Sequence, residues 1–251
     1  MKKKIRNILS VICAVFTIWI LLVSSIEAVC YYIPGFFEYE YEKHDVLSQL
    51  PEMSMSEKDG LMAVTNHMMK YLRGDKDAEE LQIVVKMGGE ERGFFTEREL
   101  MHMEDVKELF VGAQRLRTAA AFIIIVLLFV IWMAEPDSGS DRVKKADLFR
   151  YDICVGLLRG SLAFLIAAAG LGIIVATNFS EAFITFHHIF FDNDLWILDP
   201  SVDMLVNIVP EGFFFDTASL ILIIFGSVML ALVILAMYVS RKLKNDKGLH
   251  N

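Results

Sequence analysis

The chain has 251 residues, of which 55% are hydrophobic, and its mean hydropathy is +0.47. Soluble domains average about 45–50% apolar residues, so this composition favours a protein that is solvated by lipid. The formal net charge of −8 gives no support for nucleic-acid binding. The three cysteines, Cys13, Cys30 and Cys154, fall in or beside separate apolar stretches, so neither a disulfide nor a metal site is predicted from them.

Four long apolar stretches organise the chain, at residues 8–29, 119–134, 155–176 and 218–239. A membrane-spanning helix needs about 20 apolar residues, with a range of about 17–25. The first stretch exceeds the hydrophobic region of a signal peptide, which is about 7–15 residues, so we expect it to be retained as a span. We therefore predict an all-α polytopic membrane protein, in which four transmembrane helices carry a small α+β extracytoplasmic cap.

The distribution of Lys and Arg predicts the orientation. Basic residues cluster at the N-terminus, between the second and third stretches, and in the C-terminal tail, and the positive-inside rule makes these regions cytoplasmic. The predicted segments are a first span with a cytoplasmic N-terminus at 1–30, an extracytoplasmic cap at 31–117, a second span at 118–135, a cytoplasmic loop at 136–154, a third span at 155–177, an extracytoplasmic aromatic and acidic loop at 178–216, a fourth span at 217–240 and a cytoplasmic tail at 241–251.

The 31–117 segment has the pattern of a small folded cap. Ser56 could cap an amphipathic helix over 57–73 that Gly74 closes. Two apolar-rich runs on either side of Gly88-Gly89 predict a β-hairpin. Thr96 and the acid three residues later then form a capping box for a helix that can continue into the second span.

His102 is the first candidate for acid–base chemistry. Glu99 and Asp105 lie three residues away on either side, so all three side chains share one face of a helix. A neighbouring carboxylate fixes the tautomer of an imidazole and raises its proton affinity, as a general base requires. From spacing alone, a surface histidine that forms helix salt bridges fits the pattern better.

The 178–216 segment combines aromatic residues with seven acidic residues and contains no Lys or Arg. His187 and His188 are adjacent, so they point in different directions and do not share one role. The neighbouring Phe190, Phe191 and Trp196 are typical of an aromatic belt at a membrane interface. A zinc site needs three or more converging ligands, and the spacing predicts no metal site here.

Two motifs go beyond this generic pattern. The first is FFTERELMHMEDVKELF, with His102 at its centre, and the second is FITFHHIFFDNDLWILDPSVDMLVNIVPEGFFFD, which begins at Phe183 and contains His187. Together, on four spans, they resemble the lipoprotein intramolecular transacylase family, Lit, over most of the chain. Members of that family are bacterial integral membrane enzymes. They move the sn-2 acyl chain of an S-diacylglyceryl-cysteine to the α-amino group of the same cysteine, which gives a lyso-form lipoprotein.

The resemblance implies an acyltransferase of the bacterial cell membrane with its active site at the outer face. Its partners would be the diacylglyceryl-modified N-terminus of a lipoprotein and membrane lipid, and no cofactor is implied. His102 is then the leading base candidate and His187 its acid/base partner, with Asp105 or Glu99 as the orienting carboxylate. His188 ranks lower because its position in the motif is taken as variable. The candidate substrate-binding residues are Asn193, Trp196, Phe190, Phe191, His188 and Arg98, with Asn193 and Trp196 also able to donate to an oxyanion.

Two other functions stay open at this point. The chain could be another membrane hydrolase or protease, which could depend on a metal. It could also be a sensor or assembly factor whose aromatic loop binds a partner, in which case replacing His102 or His187 would leave its function intact.

Overall fold

The computed structural model describes residues 3–50, 57–87, 90–136 and 143–247. The chain is mostly helical. The helices are α1 (Lys3–Glu27), α2 (Phe36–Lys43), α3 (Glu57–Arg73), α4 (Glu97–Ala134), α5 (Lys145–Thr177), α6 (Phe179–Phe190), α7 (Leu205–Ile208) and α8 (Glu211–Lys247). The strands β1 (Val84–Met87) and β2 (Glu90–Gly93) form a two-stranded sheet.

Among the described residues, four helices are long and apolar enough to cross a membrane. Three of them contain a whole predicted apolar stretch, and the remaining one covers 155–170 of the stretch predicted at 155–176. Their bounds are Lys3–Tyr32, Glu97–Ala134, Lys145–Gly170 and Glu211–Lys247. Large apolar side chains on them face outward, such as Phe122 at 66% exposure and Ile166 at 68%. Lipid, rather than protein, is the natural environment of that surface. The predicted helical class and the small sheet are confirmed, while the extracytoplasmic location of the cap and the span boundaries stay predictions.

The chain divides into two compact units. The first contains Met1–Ser25, Arg115–Ile173 and Leu222–Asn251, and the second contains Ile26–Gln114 and Ile174–Ile221. In the first unit α5 approaches α1 closely at two glycines. A Cβ atom at Gly156 would lie 2.4 Å from Ser10 Cβ, and one at Gly160 would lie 2.6 Å from Ala14 Cβ. Small residues four apart allow this close backbone approach between membrane helices.

A charged cluster is buried in the first unit. Arg6 Nε lies 3.1 Å from both Asp152 Oδ2 and Glu135 Oε1, and all three residues are buried. Charges inside a membrane bundle are costly unless they pair with one another. The cluster therefore joins α1 to the C-terminal end of α4 and the first turns of α5.

The second unit begins with α2 and α3. Helix α3 has the predicted bounds and ends at Gly74, whose φ of +79° is the left-handed conformation that glycine adopts most easily. The Asp75 N–H then donates to the Lys70 carbonyl at 3.1 Å, which completes the helix end. Leu61, Val64 and Met68 are buried, as the amphipathic pattern predicts. The predicted cap residue Ser56 lies outside the described residues.

The hairpin leads the chain into α4. Strands β1 and β2 are antiparallel, with Met87 opposite Glu90, and the predicted turn at Gly88-Gly89 lies outside the described residues. Gln82 accepts a hydrogen bond from the Phe95 N–H at 3.3 Å and donates one to the Phe95 carbonyl at 3.0 Å. These bonds fix the residues immediately before the first turn of α4.

The aromatic and acidic 178–216 segment is more regular than a loop. Its first part is the twelve-residue helix α6, which the Asn178 side chain caps by accepting from the Glu181 N–H at 3.2 Å. Residues 191–204 are irregular, and α7 and the start of α8 follow.

Candidate active site

The first turn of α4 carries the predicted capping box. The Thr96 N–H donates to Glu99 Oε2 at 2.6 Å, and the Glu99 N–H donates to Thr96 Oγ1 at 3.3 Å. Glu99 is fully buried, and its other oxygen, Oε1, accepts a short hydrogen bond from the Leu205 N–H. Burial raises the pKa of the Glu99 carboxyl, and the two N–H donors oppose that shift. Glu99 therefore joins the start of α4 to the start of α7.

Two further contacts hold the irregular 191–204 segment on α4. Thr96 Oγ1 donates to Asp203 Oδ1 at 2.8 Å, while Asp203 Oδ2 accepts from the Asp199 N–H at 2.8 Å. The guanidinium of Arg98 donates to the Ile197 carbonyl at 3.2 Å and, through a short bond, to the Asp194 carbonyl. Arg98 thus positions this segment in the structure, and its predicted contact with substrate stays a prediction.

His102 of α4 and His187 of α6 lie together. Their ring centroids are 6.0 Å apart with the planes inclined by 35°, and the residues are 6% and 7% exposed. The buried Phe191 ring contacts both, with centroids 5.2 Å from His102 and 5.6 Å from His187. The fold therefore brings together the two histidines that the sequence proposed as catalytic.

The orientation of His187 is fixed by its own helix. Nδ1 lies 2.7 Å from the Phe183 carbonyl oxygen, and a carbonyl can only accept, so Nδ1–H is the donor. In the neutral ring Nε2 then carries the free lone pair. The centroid of the Trp196 ring lies 4.7 Å from that of the imidazole in a stacked arrangement, and the centroid of the Phe183 ring lies 4.2 Å away. Two aromatic rings therefore pack against the His187 imidazole.

Both imidazoles favour the neutral state. Burial lowers the pKa of His187, the Phe183 hydrogen bond opposes the shift, and His188 adds to it. Burial also lowers the pKa of His102, which precedes the predicted 118–135 span; His187 adds to this shift and Asp105 opposes it. His102 Nδ1 is buried, and no donor or acceptor among the described residues bonds it.

Asp105 and Asn193 connect α4 to the segment after α6. Asn193 Nδ2 donates to Asp105 Oδ2 at 2.9 Å, Asn193 Oδ1 accepts from the Leu195 N–H at 3.0 Å, and Trp196 Nε1–H donates to the Asn193 carbonyl at 3.0 Å. The two side chains proposed as oxyanion donors thus already donate within the site. The negative charge of Asp105 opposes the lowering of the His102 pKa. Both oxygens of Glu99 instead accept hydrogen bonds from backbone N–H groups.

The remaining predicted residues lie around the histidine pair. His188 is exposed and meets the edge of Trp196 at 5.2 Å, which agrees with a role different from that of His187. Phe190 is half exposed and packs on Phe186 at 4.6 Å, whereas Phe191 is buried. Asp203 is not among the residues that the sequence proposed for the site. Its bond to Thr96 joins residues 107 apart, and no local pattern signals such a contact.

This helical membrane protein holds two buried histidines side by side, and imidazoles whose pKa values are lowered by burial can accept and donate protons near neutral pH. A family model described as lipoprotein intramolecular transacylase Lit matches residues 11–214. The chain belongs to that family, which confirms the resemblance drawn from the two motifs and supports an acyltransferase.

Solved structures that resemble this chain agree with it in length and fold. The membrane-integral lipoprotein intramolecular transacylase Lit from Bacillus cereus, solved in meso, has a TM-score of 0.68 at 18% identity, with 96% of this chain and 98% of that chain covered. The same protein with a histidine-to-arginine mutation has a TM-score of 0.65 at 18% identity, with 95% and 93% covered. An uncharacterized protein from Aquifex aeolicus (strain VF5) is 28% identical over 85% of this chain and 86% of its own length.

Proposed function

We propose that this protein transfers the sn-2 acyl chain of an S-diacylglyceryl-cysteine to the α-amine of the same cysteine, at the outer face of a bacterial cell membrane. The substrate is a lipoprotein N-terminus, and the product is a lyso-form lipoprotein. The observation that carries the proposal is the close approach of His102 and His187 inside an aromatic enclosure, in a chain of this family.

The reaction needs one proton to move from nitrogen to oxygen. An α-amino group has a pKa of about 7.7–8.0, so its neutral form is available near neutral pH. Its nitrogen attacks the ester carbonyl carbon, a C–N bond forms, and the carbonyl oxygen becomes an oxyanion. When the C–O bond to the glycerol sn-2 oxygen breaks, that oxygen takes a proton, and an amide and an alcohol result.

His187 is the better prepared proton acceptor of the pair. Its Nδ1–H is held by the Phe183 carbonyl, so Nε2 can accept the proton from the attacking nitrogen and return it to the departing oxygen. The sequence favoured His102 as the base. In the mechanism proposed here neutral His102 instead donates its single N–H to the developing oxyanion, as a neutral imidazole can.

The enclosure contributes by limiting water and by orienting the substrate. Phe191, Phe183 and Trp196 surround the His187 ring, so hydrolysis of the ester competes poorly with attack by the amine. Amine and ester belong to one molecule, and effective molarities for well-oriented intramolecular reactions reach about 10⁵–10⁸ M. Neither an enzyme nucleophile nor a separate acyl donor is then needed.

The test uses purified protein in nanodiscs and a synthetic S-diacylglyceryl-cysteinyl peptide with an isotope-labelled sn-2 chain. Intramolecular transfer leaves the peptide mass unchanged, so fragmentation spectra must locate the label on the α-nitrogen, and the peptide must lose its reactivity toward an amine reagent. Mixing labelled and unlabelled peptides of different sequence should leave the label on its original peptide.

Other outcomes identify the other functions. Release of labelled fatty acid with a matching loss of peptide mass would indicate a hydrolase. A peptide that stays unmodified in the presence of folded protein would contradict the proposal and favour a sensor or assembly factor.

A further inference from the structure

A second cluster of ionisable side chains lies away from the two histidines and shares no residue with them. Glu40 and His44 are four residues apart at the end of α2, so they lie on one face, and Asp216 comes from the first turns of α8. His44 Nε2 is 2.7 Å from Asp216 Oδ2 and 3.4 Å from Glu40 Oε2. One ligand atom from each of the three residues lies within 4.8 Å of the others.

Glu40 is the unusual member of the cluster. It is only 4% exposed, and among the described residues no donor hydrogen-bonds its Oε2. His44 Nε2 lies beyond the usual hydrogen-bond range of about 2.7–3.2 Å for that oxygen and is directed at Asp216 instead. A buried carboxylate is ordinarily paired or bound to a metal, so this oxygen lacks the partner that its burial calls for.

The backbone is shaped to hold the His44 ring. Gly212, in the first turn of α8, lies against it, and a Cβ atom there would be 2.6 Å from His44 Cε1. A cavity of about 390 Å³ borders His44 and Asp216, which leaves room for solvent ligands. The ring is therefore seated between the two carboxylates while the site stays open on one side.

Lys43 shows that this position attracts a cation. Its ammonium lies 2.6 Å from Asp216 Oδ2, and its side chain is 41% exposed. A lysine on a flexible stem can move into solvent and leave Asp216 free. A single ammonium held by Asp216 leaves Glu40 Oε2 without a hydrogen-bond donor among the described residues, whereas a divalent ion placed between the carboxylates would reach both.

We propose that Glu40, His44 and Asp216 bind one divalent transition-metal ion of the zinc class, which ties α2 to the start of α8. Imidazole and carboxylate are ligands that zinc accepts, with water completing the shell. Bonds of about 2.0–2.2 Å place neighbouring ligand atoms about 3.4 Å apart in a tetrahedral site. The separation of 3.4 Å between His44 Nε2 and Glu40 Oε2 already matches this spacing. The separation of 2.7 Å between His44 Nε2 and Asp216 Oδ2 would have to lengthen by less than about an ångström. The site lies apart from the two histidines, and the proposal does not depend on the proposed transacylation.

The test is metal binding by the full-length protein in detergent after treatment with a chelator. We expect one Zn²⁺ per chain, and Co²⁺ in its place should give the visible absorption of a nitrogen- and oxygen-ligated site. Glu40→Gln and His44→Ala should each weaken binding at least about tenfold, since even residues that only support a ligand contribute that much. Lys43→Gln should strengthen binding because it removes the competing ammonium. His67→Ala is the matched control, since this half-buried histidine lies outside the cluster and bonds the Glu80 carbonyl.

Thermal unfolding keeps the test decisive if a variant folds poorly. Zn²⁺ at a concentration that just saturates the wild-type protein should raise its unfolding temperature more than that of Glu40→Gln, which preserves the side-chain shape. The proposal is overturned if the wild-type protein shows no saturable Zn²⁺ binding, or if His44→Ala and Glu40→Gln bind as well as His67→Ala does.

Discussion

Asn193 donates a 2.9 Å hydrogen bond to Asp105 across 88 residues of sequence. The same asparagine accepts from the indole of Trp196, which stacks on His187. One residue thus links the carboxylate that acts on His102 to the aromatic ring that orients His187. We therefore expect the spatial relationship of the two histidines to depend on this bridge as well as on the helices that carry them.

Removing either end of the bridge should reduce transacylation. We expect Asn193→Ala and Asp105→Ala each to raise the activation free energy by about 0.5–1.5 kcal/mol, the net contribution of a typical hydrogen bond, since this bond is only partly buried. The double variant should be little slower than either single variant, because both remove the same interaction. Rates with the labelled peptide measure this. Asp192→Asn, at the exposed acid beside Asn193, is the matched control, and additive losses would contradict the bridge.

The adjacent histidines provide a sharper comparison. His187→Ala should lower the rate by about 10²–10⁴, the usual contribution of a general acid–base group, whereas His188→Ala should change it by a small factor. His187 is buried against His102, while His188 is exposed at the edge of Trp196. Single-turnover rates of folded variants decide the matter. A large loss in His188→Ala with normal activity in His187→Ala would reverse the assignment.

Local sequence patterns predicted the structural elements whose formation depends on residues close together in the sequence. The four apolar stretches, the 57–73 helix with its terminal glycine, the hairpin and the Thr96–Glu99 capping box all follow from turn, cap and periodicity rules, and the structure contains each of them. The pairing of His102 with His187 was accessible only through the resemblance to a family, because it joins residues 85 apart. Bonds such as Thr96–Asp203 and Leu205–Glu99 were not accessible, since tertiary packing decides which distant loop residue meets a helix end.

Glu99 should matter more for stability than for proton transfer. In Glu99→Gln an amide N–H₂ would replace one of two oxygens that accept backbone N–H groups, so a donor would face a donor. An unsatisfied buried group costs about 1–3 kcal/mol, and we expect a lower unfolding temperature in detergent. The matched control is Glu97→Gln, at the exposed acid in the same helical turn. If both variants unfold at the wild-type temperature, the tie between α4 and α7 contributes little.

The two buried histidines should also make the folded state sensitive to acid. Their pKa values are lowered in the folded chain, whereas an unfolded histidine titrates near about 6.5. Below that pH the unfolded chain binds protons that the folded site excludes, so the free energy of unfolding falls as the pH is lowered toward the folded pKa values. Above about pH 6.5 this contribution is fully present. Unfolding temperatures measured from pH 8 to pH 5 should therefore decline for the wild-type protein and decline less for a His102→Asn, His187→Asn double variant. His188→Ala should nearly retain the wild-type slope, because His188 contributes least to the lowered pKa of His187. An equal slope in the double variant would assign the acid sensitivity to other groups.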